Sequence, residues 1–204
     1  AQSKLPSTYY TSPSGIGRAL EALTRDNHRV GVIGLGTGTL AAYGKPGDVF
    51  RFYDINSIVI DVAKREFTFM QDTPGKIEVV LGDGRLSLER EPGQQFDVLA
   101  MDAFSGDSIP MHLLTRQAME IYLKHLKPGG VLAITVERSD RAPFVLTDAG
   151  RFSHHRSHLE EAAIAAGLTV VVLGALRVLH AREAMGLLQE GDCPQAGKGE
   201  EAAP

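Results

Sequence analysis

Three glycines follow the first strongly apolar run of the chain, in the sequence GLGTG, as Gly34, Gly36 and Gly38. A strand that ends in a tight turn needs residues that tolerate a positive φ angle and let a ligand approach the backbone, and glycine provides both. Asp54 lies twenty residues after Gly34, with Ile55 next to it. A carboxylate there can accept hydrogen bonds from both ribose hydroxyls, so the pattern predicts a nucleotide site that includes Ile55. An ordinary strand–helix turn with a surface aspartate is the alternative.

The spacing G-x-G-x-G, rather than G-x-G-x-x-G, disfavours a dinucleotide, because no pyrophosphate then needs a helix start at a third glycine. The motif GDGR at 82–85 follows the third apolar run and places Asp83 and Gly84 beside an adenine site. An aspartate in that position can accept a hydrogen bond from the exocyclic amine. A plain Gly-Asp-Gly turn explains the same residues equally well.

The fourth apolar run ends in the loop DAFSGDSIP, which contains Asp102 and Asp107. Open α/β sheets place their reacting groups at the carboxyl ends of the strands. Two carboxylates in one loop can hold a cationic amine and take a proton from it, so both are candidate catalytic residues. Asp102 is also a candidate contact to the cofactor. The alternative is a polar loop whose aspartates cap the next helix, and Pro110 suits a helix start in either case.

Apolar runs alternate with stretches of helical periodicity, which is typical of βαβ units and a parallel sheet. The predicted strands are 29–35, 49–55, 76–83, 96–103 and 130–137, then a strand-like run at 168–179 and a last strand at 184–190. The predicted helices are 14–23, 57–70, 111–126 and 157–167, and KPGG at 127–130 predicts a stop and a turn. The fold class is therefore α/β: a Rossmann-like, mostly parallel seven-stranded sheet that ends in an antiparallel hairpin, as in class I methyltransferases.

The chain has 204 residues, 43% of them apolar, which suffices for one domain with a substantial core. We predict a single Rossmann-like domain over 1–190 and a disordered tail over 191–204, where Gly, Ala, Glu and Pro prevail. The formal net charge is −4 and the basic residues are scattered, so no nucleic-acid partner is expected. No apolar run reaches roughly 18 residues, so no membrane span is expected.

A single cysteine, Cys193, excludes a disulfide framework within the chain and favours a reducing compartment. The first residues lack the charged and apolar regions of a secretory leader, so a cytoplasmic location is expected. His154 and His158 lie one helical turn apart, but no further ligand with suitable spacing accompanies them. An exposed polar helix start is the preferred interpretation, and no metal is predicted. Tyr9 and Tyr10 are candidates to line a pocket, although such residues more often simply pack.

These segments together resemble the spermidine synthase-like domains. The similarity runs from TYYTSPSGIGRAL (8–20) through GLGTGTLAAYG, YDIN, GDGRLSLE and DAFSGDSIPMHLLT to HLKPGGVLA, which ends at 133, and DAFSGDSIP is its most specific part. The variant that is fused to transporter-like membrane segments is the most similar. The last third, over 134–171, is similar instead to the C-terminal part of methyltransferases associated with tetratricopeptide repeats.

The resemblance implies transfer of an aminopropyl group from decarboxylated S-adenosylmethionine to putrescine. Carried over by position, Asp54 binds ribose, Asp83 binds adenine, Asp102 orients and deprotonates the attacking amine, and Asp107 helps to hold it. The expected cofactor is S-adenosylmethionine or its decarboxylated form, the expected partner is a small-molecule amine, and a homodimer is a candidate assembly. Spermidine synthases carry a closer pair of loop aspartates, D-x-x-D, whereas four residues separate the pair here.

Two alternatives stand beside aminopropyl transfer. Methyl transfer from S-adenosylmethionine is supported by the last third of the chain. The two reactions differ in the carbon that is attacked and in whether the cofactor keeps its carboxylate, which Asp102 and Asp107 would repel. The other alternative is a non-catalytic module that binds the nucleotide and regulates a partner, because the N-terminal β-hairpin domain and further polyamine-binding groups of the synthases are not recognisable.

Overall fold

A computed structural model describes residues 6, 10–104, 109–134, 139–141, 143–146, 152–165, 168–173 and 176–181. The strands are Arg29–Ile33 (β1), Val49–Asp54 (β2), Lys76–Leu81 (β3), Phe96–Met101 (β4), Leu126–Ile134 (β5), Phe144–Leu146 (β6), Phe152–His154 (β7), Leu168–Leu173 (β8) and Leu176–Ala181 (β9). The α-helices are Gly15–Glu21 (α1), Ser57–Glu66 (α2), Phe69–Asp72 (α3), Gly84–Arg90 (α4), Arg116–His125 (α5) and Arg156–Ala165 (α6). Two 3₁₀ turns cover Thr39–Tyr43 and Met111–Leu113.

The main sheet has the strand order β3-β2-β1-β4-β5-β9-β8. Strands β1 to β5 pair in parallel, whereas β9 is antiparallel both to β5 and to β8. This arrangement confirms the predicted α/β sheet with a terminal antiparallel hairpin. The strand order reverses between β1 and β4, and open α/β sheets bind ligands in the crevice outside the carboxyl ends at such a point.

The sheet separates two apolar cores, because successive side chains of a strand point to opposite faces. In β4, Val98 and Ala100 belong to the core that α1 and α2 cover. Leu99 and Met101 belong to the other core, which α4 and α5 cover. β4 is therefore buried on both faces, as its continuous apolar run predicts. None of the described helices combines the length and the apolar character needed to cross a membrane.

Two predicted helices differ from the structure at their ends. The helix predicted over 57–70 is divided, because Phe67 takes extended angles (φ −124°, ψ 147°) and ends α2. The short helix α3 then places Phe69 and Met70 against the core. The helix predicted over 111–126 begins as α5 only at Arg116, where the Thr115 side chain accepts a hydrogen bond from the Ala118 N–H and caps it. The residues before it form the 3₁₀ turn instead.

The strand boundaries after β4 also differ from the prediction. β5 begins at Leu126, so the KPGG motif lies within the range of this strand. The motif coincides with a shift in register, because Phe96 of β4 pairs with Leu126 whereas Val98 pairs with Val131. The prediction of a single strand over 168–179 is wrong, because β8 ends at Leu173 and β9 begins at Leu176. The strand predicted at 184–190 and the tail at 191–204 fall outside the described residues.

Helix α4 and the small antiparallel pair of β6 with β7 were not predicted. The residues that follow GDG lack a long apolar periodicity, and the helix starts because Asp83 caps it by accepting a hydrogen bond from the Leu86 N–H. The pair β6–β7 is only three residues long on each side, too short to leave a clear alternation in the sequence.

Candidate functional site

The four predicted site segments lie side by side at the carboxyl edge of the parallel sheet. Backbone hydrogen bonds of 2.8 Å join neighbouring strand ends: Gly34 N–H to the Tyr53 carbonyl, Gly82 N–H to the Asp54 carbonyl, and Asp102 N–H to the Ile33 carbonyl. The ends of β1 to β4 therefore form one continuous rim, which carries the glycine turn and three carboxylates.

The glycine turn takes positive φ angles at all three glycines, 101° at Gly34, 53° at Gly36 and 76° at Gly38. A Cβ on Gly34 would lie 2.5 Å from the Asp102 carbonyl oxygen, so this glycine lets β1 and β4 approach each other. A Cβ on Gly36 would have no atom within 4 Å. The backbone at Gly36 thus faces open space that a ligand can enter, which is the property predicted for this turn.

Asp54 ends β2 and fixes the glycine turn. Its Oδ2 accepts a hydrogen bond of 2.9 Å from the Leu35 N–H, and its Oδ1 accepts one of 2.9 Å from the Asn56 N–H. A carboxylate oxygen has room for a second donor, so both oxygens remain available to the two hydroxyls of a ribose. Ile55 is 73% exposed next to this carboxylate, and such an apolar surface suits the face of a ring.

Asp83 lies at the end of β3, where its two oxygens have different partners. Oδ1 accepts the capping hydrogen bond from the Leu86 N–H at 2.9 Å, and Oδ2 lies 2.8 Å from Nε2 of His112. Burial alone would raise the pKa of Asp83, but these two hydrogen bonds, the charge interaction with His112 and a hydrogen bond from the Arg85 backbone outweigh burial and lower the pKa. Asp83 is therefore an ionised acceptor beside Gly84, which is buried at the start of α4.

Asp102 follows β4 and is half-buried. Burial raises the pKa of its carboxyl to about 6, although a hydrogen bond from the Tyr10 hydroxyl partly opposes that shift. The Tyr10 hydroxyl donates to Oδ2 at 2.8 Å. A carboxylate with a raised pKa and limited access to water is suited to accept a proton from a bound substrate.

Tyr10 comes from the segment that precedes α1, far from Asp102 in sequence. Its backbone carbonyl accepts a hydrogen bond from the Tyr43 hydroxyl, which ties this segment to the turn after the glycines. The sequence names Tyr10 as a candidate to line a pocket, and the structure gives it the more specific position beside Asp102. Tyr9 and Asp107 both lie outside the described residues.

The histidines of the last third do not join this rim through any contact that the structure records. His154 lies on β7 and His158 on α6, with nearly parallel rings whose centroids are 5.7 Å apart. The Phe144 ring contacts both imidazoles. Within the part of the chain that the structure describes, no group of three or more His, Cys, Asp or Glu side chains is arranged to hold a metal ion.

His112 is the site residue that the sequence did not single out. It lies in the 3₁₀ turn Met111–Leu113, which the sequence predicts as the start of a helix, and its contact with Asp83 spans 29 residues of sequence. A histidine next to a predicted helix start carries no signal that identifies such a distant partner.

The chain is similar in sequence to curated proteins and similar in fold to solved structures. No family model matches the chain. The polyamine aminopropyltransferase of Vibrio vulnificus (strain CMCP6) is 32% identical over 109 residues, which are 51% of this chain and 36% of that protein. The chain thus spans about a third of the length of this relative.

Two solved structures have similar architecture. The probable spermidine synthase from Corynebacterium glutamicum ATCC 13032 has a TM-score of 0.59 and 18% identity, with 82% of this chain and 61% of that chain covered. Human methyltransferase-like protein 13, in complex with SAH, has a TM-score of 0.56 and 18% identity, with 85% of this chain and 82% of that chain covered. The fold is thus the α/β Rossmann-like methyltransferase fold, a mainly parallel sheet with an antiparallel hairpin.

Substitution can separate the two requirements of the glycine turn, which are close backbone packing and a positive φ angle. We expect Gly34→Ala to lower the free energy of unfolding by more than about 3 kcal/mol, because it combines an unfavourable φ angle with a backbone clash. At position 36 there is space for a Cβ, so Gly36→Ala should lower the free energy of unfolding by only about 1–2 kcal/mol, the cost of a left-handed conformation for alanine. Urea denaturation of both variants measures the difference, and equal losses would contradict the close approach at Gly34.

The raised pKa of Asp102 predicts a stability cost at neutral and alkaline pH. The folded-state pKa lies above the unfolded value, so the protonated carboxyl is compatible with folding and stability is lost as the pH rises through about 6. Asp102→Asn keeps an acceptor for Tyr10 without the charge. We expect it to raise the free energy of unfolding by about 1–3 kcal/mol at pH 8 and to change it little at pH 4.

Urea denaturation at the two pH values measures this effect. Asp61→Asn, an exposed aspartate on α2, serves as the matched control. A variant at position 102 that is equally or less stable than the parent at pH 8 would show that burial does not disfavour the charge.

Proposed function

We propose that this chain binds an S-adenosyl nucleotide at the carboxyl edge of its sheet and transfers a group from the sulfonium to an amine, with aminopropyl transfer from decarboxylated S-adenosylmethionine as the reaction. A relative that matches half of the chain, from Vibrio vulnificus, is a polyamine aminopropyltransferase. Methyl transfer from S-adenosylmethionine uses the same fold and is the alternative that product analysis separates.

The observation that carries the proposal is the charge at the rim. Asp54, Asp83 and Asp102 have backbone N–H groups, an imidazole or a phenol as hydrogen-bond partners, and none has a Lys or Arg partner among the described residues. Elsewhere Glu78 and Glu91 are paired with Arg51 at 3.0 and 2.6 Å. Unneutralised carboxylates attract cations. A decarboxylated donor, which carries a sulfonium and an ammonium group and no carboxylate, fits this rim better than S-adenosylmethionine does.

Each rim residue has a place in this proposal. Asp54 accepts hydrogen bonds from the ribose, Asp83 and Gly84 bind the adenine, Ile55 covers its face, and the turn of Gly34, Gly36 and Gly38 lets the rest of the donor approach the backbone. Asp102 orients the amine and removes its proton, and Asp107 of the same loop helps to hold the amine.

The chemical step needs alignment and a proton acceptor. The amine nitrogen attacks the carbon bonded to the sulfonium, a C–N bond forms, and the C–S bond breaks with its electron pair going to sulfur, which becomes a neutral thioether. The proton that the nitrogen loses goes to Asp102 and then to solvent. The hydrogen bond from Tyr10 holds the carboxylate in place for this transfer.

Loss of the ribose contacts should weaken nucleotide binding. We expect Asp54→Ala to lower the affinity for S-adenosylhomocysteine by about 1–3 kcal/mol, because two hydroxyl contacts to a carboxylate are lost. Titration calorimetry gives the affinity, and thermal unfolding shows whether the variant is folded. Asp61→Ala, which removes an exposed aspartate on α2, is the matched control. Unchanged affinity in the Asp54 variant would contradict the ribose assignment.

Loss of the proton acceptor should strongly reduce turnover without weakening the binding of the nucleotide. We expect Asp102→Asn to retain nucleotide affinity and to lower kcat with putrescine and decarboxylated S-adenosylmethionine by about 10²–10⁴-fold. In the parent chain the rate should fall as the pH drops below about 6, where Asp102 becomes protonated, and the residual rate of the variant should lack this limb.

The same assay decides between the proposed reaction and its alternatives. A methylated product formed from S-adenosylmethionine would replace aminopropyl transfer by methyl transfer. Nucleotide binding without turnover of any amine would indicate a non-catalytic module. A fully active Asp102→Asn variant would reject Asp102 as the base.

A further inference from the structure

The two oxygens of Asp83 contact different partners. Oδ1 is used to cap α4 through the Leu86 N–H at 2.9 Å. Oδ2 points toward the segment after β4 and lies 2.8 Å from Nε2 of His112. The Asp83 side chain is 15% exposed and that of His112 is 51% exposed. An adenine amine that binds Oδ2 would therefore share this atom with the imidazole.

His112 is held in this position by a fixed turn. The Leu114 N–H donates to the Met111 carbonyl at 3.0 Å, and the Leu113 carbonyl accepts a hydrogen bond of 3.2 Å from the Tyr122 hydroxyl. Tyr122 is fully buried on α5. The turn therefore presents the imidazole from a packed element rather than from a free loop end, and the backbone at His112 is fixed by these contacts.

Other charged groups near the turn do not compete for Asp83. On α4, Arg85 donates a backbone hydrogen bond to Asp83, and the described structure records no ion pair between the two side chains. On α5, Arg116 pairs with Glu120 at 3.0 Å on the solvent side, where its side chain is 92% exposed. Among the described side chains, His112 alone contacts Oδ2 of Asp83.

We propose that His112 is a positioning residue of the nucleotide site: its imidazole donates to Oδ2 of Asp83 and fixes that oxygen to accept the exocyclic amino group of adenine. A carboxylate oxygen accepts two hydrogen bonds, so imidazole and amine share it. Leu86, whose N–H binds Oδ1 of Asp83, is 41% exposed, and Met111, next to His112 in sequence, is 67% exposed. This inference rests on the proposed binding of an S-adenosyl nucleotide.

The test compares two ligands that differ at one position of the base. S-adenosylhomocysteine carries the amino group, whereas S-inosylhomocysteine carries an oxygen there. The measured quantity is the ratio of their Kd values, obtained by titration calorimetry. We expect the parent chain to prefer the adenosyl compound by at least about tenfold, since a site built for an N–H donor rejects an analogue without it. Asp83→Asn gives the ratio that remains when the carboxylate is lost.

We expect His112→Ala to lower the ratio by about 3–10-fold, because Oδ2 is no longer held in place. The loss should come from weaker binding of the adenosyl compound. His112→Gln should restore most of the ratio, because its amide N–H₂ replaces the Nε2 donor. Arg116→Gln, on the solvent side of α5, is the matched control and should leave both Kd values unchanged.

The outcomes separate this inference from the proposed function. If the parent chain binds neither compound, the nucleotide site itself is wrong. If the parent discriminates and His112→Ala has the same ratio, nucleotide binding stands and the positioning role is refuted. Tighter binding of the adenosyl compound by His112→Ala would overturn it as well, because the imidazole would then compete with the amine. Equal weakening of both compounds would indicate a purely structural effect.

Discussion

The close approach of β1 to the end of β4 is the constraint on which the candidate site depends. The Asp102 N–H bonds to the Ile33 carbonyl at 2.8 Å, and a side chain at Gly34 would collide with the Asp102 carbonyl. Because β1 lies between β2 and β4, this contact brings the carboxylates of two strands to the sides of a single glycine turn. A wider separation of β1 from β4 would leave a turn and an aspartate without a common crevice.

The distribution of charge follows from that packing. Away from the rim, three partly buried carboxylates are neutralised by basic side chains: Glu78 and Glu91 by Arg51, and Asp97 by Lys127 at 2.8 Å. At the rim, the carboxylates are hydrogen-bonded, and none of them has a Lys or Arg side chain as a partner among the described residues. Partial burial of the Asp102 carboxylate is energetically unfavourable. The apolar side chains of β4, which pack into the two cores, offset this free energy. The stability of the two cores thus allows the fold to keep a partly buried carboxylate that is itself destabilising.

Side chains from distant parts of the chain complete the rim. Tyr10 reaches Asp102 across 92 residues of sequence, and His112 reaches Asp83 across 29. Both are held by buried or half-buried tyrosines, since Tyr43 bonds to the carbonyl of Tyr10 and Tyr122 to that of Leu113. The polar contacts of the site therefore depend on the packing of helices and turns that carry no chemistry themselves.

The sequence by itself determined the parallel strands β1 to β4, the positive-φ glycine turn and the carboxylates that end the strands, because these depend on local patterns of apolar residues and on the conformational range of glycine. Only the tertiary structure decided the rest. The break between α2 and α3, the late start of α5 and the division of β8 from β9 follow from packing against the cores and from strand pairing. The contacts of Tyr10 and His112 with the rim join residues that no local pattern relates, since hydrogen bonds between distant segments form only when the sheet brings those segments together.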